Sequence, residues 1–398
     1  MLPITPLPRF LSLYGALFAA FGVASPFLPA LLQEDGLGPN AIGIVLAGGT
    51  GIRLITGPFG GRLADWSGWP VAVLGGFTAA SALLALGYIP ARGLPLLLLV
   101  SVGHAAVLAP LTPVADALAL GSAQGRPGFN YGTVRAVGSA AFIAGTLASG
   151  LVVERAGLSM IIWLNAGLLA IAALSAWFVP NRVTGSRTSQ APAAGCSAFV
   201  TLLRIPIFRH LMIATSLIGG SHALHDGFEV IRWRAAGMSP GQVSLLWAVS
   251  VAAEVVVFLL LGRQMLERLG PGRAMTLAAV AGVVRWGTAA QTAWFSAMAL
   301  VEPLHGLSFA LLHLACMDVI GRSVPKELAA TAQTIYATIA MGATSALVTL
   351  ASGPLYQQYG AHAFWAMAAM CALALPLTMG IWRLTVPRNQ RLSEMFGE

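Results

Sequence analysis

The chain has 398 residues, 57% of them hydrophobic and only 9% charged, with a formal net charge of +8. A soluble domain carries about 25% charged residues, so this composition cannot clothe a water-facing globule. Barrel strands alternate apolar and polar residues, and the charge-free blocks at 10–33, 66–91, 156–181 and 328–382 exclude that architecture as well.

Each block is long enough for a helix to cross the hydrocarbon, which takes about 20 apolar residues. In chain order the pattern predicts twelve spans near 8–32, 41–63, 70–90, 94–121, 131–153, 159–179, 207–232, 241–262, 274–292, 294–320, 328–355 and 361–382. The first block is span-length and is read as the first helix rather than a signal peptide. The last block is long enough for two helices, with a turn expected near Tyr356-Gln357-Gln358-Tyr359-Gly360. The stretch 181–206, with its Gly, Ser, Thr, Pro and Arg, reads as a polar cytoplasmic linker between a bundle at 1–180 and another at 207–398.

With the N-terminus inside, fifteen of the twenty-two basic residues fall on the cytoplasmic side, four on the outer side and three inside spans. This is the positive-inside bias. It accounts for the basic charge without a nucleic-acid partner and predicts an inner-membrane protein with both termini cytoplasmic. Cys196, Cys316 and Cys371 match no disulfide or zinc spacing, and no cofactor or metal is expected. His222-Ala223-Leu224-His225-Asp226 lacks a further ligand for a metal. No phosphate-cradling Gly-x-x-x-x-Gly-Lys loop is present, so ATP-driven transport within this chain is excluded.

The two halves match at a near-constant offset. Gly36-Leu37-Gly38-Pro39 recurs as Gly237-Met238-Ser239-Pro240, and Asp65-Trp66-Ser67-Gly68 as Glu267-Arg268-Leu269-Gly270. Asp116 matches Asp318, and Ala148-Ser149-Gly150 matches Ala351-Ser352-Gly353. The order is kept while the offset drifts only from 201 to 203. A 6+6 parallel duplication is the layout of the major facilitator fold, with its site between halves at mid-membrane. The segment Gly61-Arg62-Leu63-Ala64-Asp65-Trp66-Ser67-Gly68 resembles that superfamily's loop signature, departing from it at Trp66, Trp69 and Pro70. The fold class expected is therefore an all-α membrane protein of twelve transmembrane helices in two six-helix pseudo-repeats. The resemblance implies that Gly61, Asp65 and Gly68, with Glu267 and Gly270 in the second half, form a conformational loop motif. A solvated turn carboxylate is the alternative for Asp65.

Nine charged groups fall within spans: Arg53, Arg135, Arg285, Asp116, Asp226, Glu229, Glu254, Glu302 and Asp318. Uncompensated, they would cost on the order of 25 kcal/mol. They must pair, face a wet cavity or be neutral, and six carboxyls to three arginines give a physical motive for proton coupling. Glu229 and Asp318 best fit the simpler reading of groups near helix ends that reach water.

Asp116 ends one span and Arg135 begins the next, so the two can meet. After Arg135, the face Gly138, Ala141 and Gly145 suits close helix packing. The signature Tyr131-Gly132-Thr133-Val134-Arg135-Ala136-Val137-Gly138-Ser139 resembles that of lactose-permease-type and phenylpropionate-permease-type proton symporters. In the former the matching acid and Arg form the substrate pair. Here the acid is Asp, one methylene shorter, and a structural ion pair is the competing reading. The resemblance also implies that Arg285 and His305, twenty residues apart, belong to a proton-coupling network. Ser308 occupies the place of that network's glutamate, while Glu302 stands three residues before His305 on one helical face. Glu254 is the repeat partner of Arg53, and His104 falls within a residue of the repeat position of His305. The phenylpropionate permease resemblance covers nearly the whole chain, including His222 through Phe228, Leu246-Trp247, Ala253-Glu254-Val255, Arg285-Trp286-Gly287 and Phe364-Trp365-Ala366-Met367-Ala368.

It implies uptake of a small, often aromatic, carboxylate with protons by a monomer that needs only substrate, protons and bilayer. Asp116, Arg135, Arg53, Asp226 and His222 are the candidate substrate-binding residues. Glu254, Arg285, Glu302 and His305 are the candidates for proton coupling. Internal arginines suit an anion, and Trp233, Trp247 and Trp286 could stack on a ring or simply pack. A proton antiporter exporting drugs or metabolites fits the repeats and charges equally, and a membrane enzyme or receptor is the third class. The His313-x4-Asp318 spacing of some membrane acyltransferases has no nucleophile beside it.

Overall fold

The structure is a computed structural model that describes residues 6–124, 129–181 and 196–385. Arg126, Arg182, Arg187, Arg388 and Arg391 and most of the 181–206 linker lie outside the described residues. The described residues are helical throughout, without a strand. Lipid leaves no other solution, since a backbone polar group exposed to hydrocarbon has no water to satisfy it.

Seven helical stretches are long and apolar enough to cross a membrane: Leu7–Ala24, Pro39–Ser67, Gly93–Ala123, Tyr131–Ala156, Pro240–Gln291, Phe295–Ser323 and Lys326–Thr385. Ala198–Arg204 and Pro206–Ala235, bent by 93°, make an eighth if taken as one span. Pro70–Leu86 and Met160–Ala176 are apolar helices of 17 residues each, inside two of the predicted spans.

Local sequence explains the ends. Proline opens the helices at Pro39, Pro70 and Pro206, where its missing N–H costs nothing. Asn130 caps the helix Tyr131–Ala156 by accepting from the Gly132 N–H at 2.7 Å. Pro110 interrupts the Gly93–Ala123 stretch between helices ending at Leu108 and starting at Leu111. The turn expected near Tyr359 is present, because Gly360 leaves helical geometry with φ 53°. Six of the seven positive-φ glycines fall into pairs: Gly36 with Gly237, Gly68 with Gly270, and Gly157 with Gly360. Their spacings are 201, 202 and 203 residues.

The described chain packs as two compact units, one within Met1–Arg187 and Gly227–Ala248, the other within Thr188–Asp226 and Val249–Glu398. In the first, Leu7–Ala24 lies against Tyr131–Ala156 along a glycine seam. A Cβ at Gly22 would collide with the Phe142 carbonyl oxygen, and one at Gly145 with the Ala19 carbonyl oxygen. Gly138 faces Phe18 at 3.2 Å from its would-be Cβ. Polar bonds tie the seam: Thr146 donates to the Gly22 carbonyl at 3.1 Å, and Asn165 to Ala20 at 2.8 Å. Such bonds are favoured where lipid offers no hydrophobic drive between helices. Around them Phe10, Leu13, Leu17, Leu111, Leu118 and Leu169 form the apolar core. In the second unit the helix starting at Gly262 meets Phe364–Thr385, and Gly272 lets its backbone touch Trp382.

One expectation changes here. Glu229 does not reach water: it is 0% exposed and pairs with Arg232, itself buried, at 3.5 Å. The cause is packing, since the short helix Val230–Ala235 that follows Glu229 lies on Leu28–Glu34. Trp233, Trp247 and Trp286 are all buried in protein, in keeping with the packing alternative.

Candidate functional site

The second unit holds a chain of ionisable side chains. Arg285, 1% exposed, lies on the Gly262–Gln291 helix and reaches Glu302 with one terminal nitrogen at 2.9 Å. Its other terminal nitrogen lies 3.2 Å from His305 Nδ1 and 3.4 Å from the Ser308 hydroxyl. The guanidinium also sits 4.4 Å from the centre of the Trp286 ring, a favourable cation–π arrangement when desolvated. One Glu302 carboxylate oxygen receives Arg285, a short hydrogen bond from Ser250 and, at 3.4 Å, His225 Nε2. His225 Nδ1 lies 3.2 Å from Asp226. Beyond Arg285, His305 Nε2 is 3.5 Å from Glu254.

The order along the chain is therefore Asp226, His225, Glu302, Arg285, His305, Glu254. Its middle is sealed, with side chains of His225, Glu302 and Arg285 at 4%, 3% and 1% exposure. Its ends are open, Asp226 at 62% and Glu254 at 27%. Protonation follows from the donors and acceptors. His225 presents each ring nitrogen to a carboxylate, which suits an imidazolium. His305 Nδ1 faces a guanidinium N–H and must accept, leaving Nε2–H toward Glu254. His222 Nδ1 lies 3.1 Å from the Ile218 carbonyl, so it donates, and its Nε2 accepts from Ser308 at 3.1 Å. Burying such groups is tolerable only because each meets a partner.

π-helical turns surround this chain at His225–Glu229, Val257–Leu261 and Gly306–Leu311, with a fourth at Tyr336–Ala343. Such turns are rare and recur at functional sites. The first carries His225 and Asp226, the second follows Glu254 by less than a turn, and the third carries Ser308.

In the first unit the polar residues are simpler. Arg135 and Asp116 meet at 3.6 Å, with side chains 40% and 27% exposed. Tyr14 donates to Asp116 at 2.5 Å, and the Arg135 guanidinium lies 5.1 Å from the Phe18 ring centre. Arg53 is exposed on the Pro39–Ser67 helix, and Asp65 is exposed near its end. Gly61 has open space at its Cβ position, Gly68 closes the helix with φ 65°, and Gly270 breaks the second-unit helix with φ 72°. Glu267 pairs with Arg263 at 2.8 Å.

The structure thus brings Glu254, Arg285, Glu302, His305, His222 and Asp226 together in one unit, and Asp116 with Arg135 in the other. Sequence reasoning left out His225, Ser250, Ser308 and Tyr14 as partners. The available signal was a hydroxyl or imidazole inside an apolar helix, which lipid makes costly unless it is bonded. Asp318 pairs with the exposed Arg322 at 2.8 Å and not with His313.

The apolar helices describe a multi-pass membrane protein, and its family and relatives make the class an integral-membrane transporter and not an enzyme. The chain belongs to the MFS_1 like family, which it matches over residues 9–367. It is 32% identical to the probable 3-phenylpropionic acid transporter of Escherichia coli (strain K12) over 374 residues, 92% of this chain and 96% of that protein. It is 26% identical to the maltose permease of Geobacillus stearothermophilus, covering 90% of each. The nucleoside transporter NupG shares the fold, with a TM-score of 0.82 at 16% identity, over 96% of this chain and 100% of that one.

Proposed function

We propose that the protein is a proton-coupled importer of a small organic carboxylate, aromatic acids such as 3-phenylpropionate first among them. The observation that carries this reading is the chain of contacts from Asp226 to Glu254, exposed at Asp226, partly exposed at Glu254 and sealed in the middle. A buried row of acids and bases is costly in a membrane and marks ion or proton pathways. Glu254, His305, Arg285 and Glu302 carry the coupling. Asp116, Arg135, Arg53, Asp226 and His222 receive the substrate, the arginines meeting its carboxylate. The similarity to the probable 3-phenylpropionic acid transporter of Escherichia coli supports the aromatic acid.

The architecture proposed is twelve helices in two six-helix halves, 1–180 and 207–398, joined by the 181–206 linker. The Pro240–Gln291 stretch has 52 residues. At about 1.5 Å per residue it exceeds twice the roughly 30 Å hydrocarbon thickness, and it breaks at Gly270. Lys326–Thr385 breaks likewise at Gly360. The glycine pairs at constant spacing support the duplication. Gly61, Asp65 and Gly68, with Glu267 and Gly270, act as the loop motif that governs the conformational change. The basic-residue bias supports cytoplasmic termini in the inner membrane. The working unit is the monomer.

The test is uptake of labelled 3-phenylpropionate by right-side-out and inside-out vesicles under an imposed pH gradient, with maltose as the comparison solute. Accumulation in right-side-out vesicles when the outside is acidic is the expected result. Accumulation only in inside-out vesicles, against the proton gradient, makes the protein an exporting antiporter, and no dependence on the gradient rejects coupling.

A further inference from the structure

Outside the coupling chain, one histidine of the second unit sits inside an apolar stretch and beside that chain. His313 stands eight residues beyond His305 on the Phe295–Ser323 stretch. Its Nδ1 lies 3.0 Å from the Tyr336 hydroxyl, and its ring meets Phe258 edge-on with centroids 6.0 Å apart. Three of the four π-helical turns converge on it. Val257–Leu261 carries Phe258, Tyr336–Ala343 opens on Tyr336, and Gly306–Leu311 ends two residues before His313. Each such turn gives up regular helical bonding, and their concentration at functional sites makes this convergence around a single ring informative.

Glu254 connects this ring to the chain. It contacts His305 at 3.5 Å and precedes Phe258 by four residues, on the same helical side. His305 and His313 are separated by about 12 Å of helix rise, too far for direct transfer, so the carboxyl between them is the bridge. Tyr336 and Phe258 face His313, Glu254 stands one turn before Phe258 on the neighbouring helix, and Cys316, bonded to Thr215 at 3.1 Å, lies three residues on along the His313 helix.

We infer that His313, held in one tautomer by Tyr336, is a second proton station that receives the coupled proton from the Glu254–His305 pair and passes it toward the cytoplasmic end of its helix. The inference rests on the proton-coupled reading above. The neutral ring donates Nδ1–H to the Tyr336 oxygen, which leaves the Nε2 lone pair to bind a proton. The proton leaves the Glu254 carboxyl through water, binds Nε2 to give an imidazolium, and departs from the same nitrogen to water. No other bond changes, Tyr336 keeps its own proton, and the ring returns neutral.

The experiment compares wild type, His313→Gln and Tyr336→Phe in proteoliposomes, using 3-phenylpropionate. Gradient-driven uptake by His313→Gln is expected to fall about tenfold or more, with equal-pH exchange kept near the wild-type rate. Tyr336→Phe is expected to keep exchange and to shift the pH midpoint of driven uptake, because the tautomer is no longer fixed. Wild-type rates and pH profiles in both variants overturn the inference, and so does loss of exchange together with uptake in both, which makes the pair structural. Absence of gradient-driven uptake in the wild type rejects the proton-coupled reading itself. In that case ¹⁵N NMR of His313 in nanodiscs still decides on the station, since it needs no substrate. A ring with Nδ1–H that gains a proton between pH 5 and 9 supports the station, and a ring that never titrates overturns it.

Discussion

The halves of this chain place different chemistry at matching positions. At one repeat-related pair the first half has Arg53 and His104 and the second has Glu254 and His305, 201 residues apart in both cases. Arg53 is exposed, and the buried Nε2 of His104 has no hydrogen-bond partner. Glu254 and His305 instead meet each other and extend through Arg285 to Glu302, His225 and Asp226. The backbone differs in the same sense. All four π-helical segments among the described residues lie between His225 and Ala343, and the first half is built on regular helices joined along a glycine seam. The two parts thus differ in kind: the first is a packed frame with a half-exposed ion pair, and the second bends its helices around a sealed chain of charge.

That contrast breaks most easily at Arg285. Arg285→Ala leaves Glu302 buried without its cation, and breaking a buried pair in this way costs about 3–5 kcal/mol. A large drop in thermal stability together with loss of driven uptake is expected, and a variant of wild-type stability would mean the chain is not held by Arg285. A smaller effect, confined to the frame, comes from Gly145→Ala. The added methyl meets the Ala19 carbonyl oxygen, and overpacking of this kind costs about 1–3 kcal/mol. Thermal unfolding of this variant against Gly167→Ala, where nothing lies within 4 Å of the new methyl, checks the seam.

Tyr14→Phe removes the hydroxyl that donates to Asp116, worth about 1.5–3 kcal/mol for a bond to a charged group when fully buried and less here, because Asp116 is 27% exposed. The same variant should weaken protection by 3-phenylpropionate in a thermal-shift assay if Asp116 receives substrate. Arg135→Ala is expected to change stability least, by less than about 1 kcal/mol, as for other exposed pairs. Its protection by ligand should nevertheless disappear. Retained protection would leave Arg135 as a structural partner of Asp116.

Much of the architecture was legible because lipid narrows the choices. Charge-free blocks could only be helices, and Pro39, Pro70, Pro206 and Gly360 mark helix boundaries that the structure uses. The meeting of Asp116 with Arg135 followed from adjacent helix ends. What sequence spacing could not settle was the choice of partner inside a bundle. Glu302 and His305 lie three apart across the 3-10 turn Glu302–Leu304 and both meet Arg285, yet Glu302 also bonds Ser250 while His305 turns its other nitrogen to Glu254. Glu229 looked wet because its neighbours end a predicted span, and only the packing of Val230–Ala235 on Leu28–Glu34 makes it buried. His225 resembled half of a metal site, and its two carboxylate neighbours come from different helices.

The claim that the Glu254–His305 end of this chain carries the coupled proton, with Arg285 as its fixed cation, is tested most directly by removing that end. Proteoliposomes holding Glu254→Gln, with His305→Ala in parallel, are loaded for equal-pH exchange of 3-phenylpropionate and then challenged with an inward proton gradient. Exchange should continue and gradient-driven accumulation should be abolished in both variants. Accumulation undiminished from wild type in both would contradict the account.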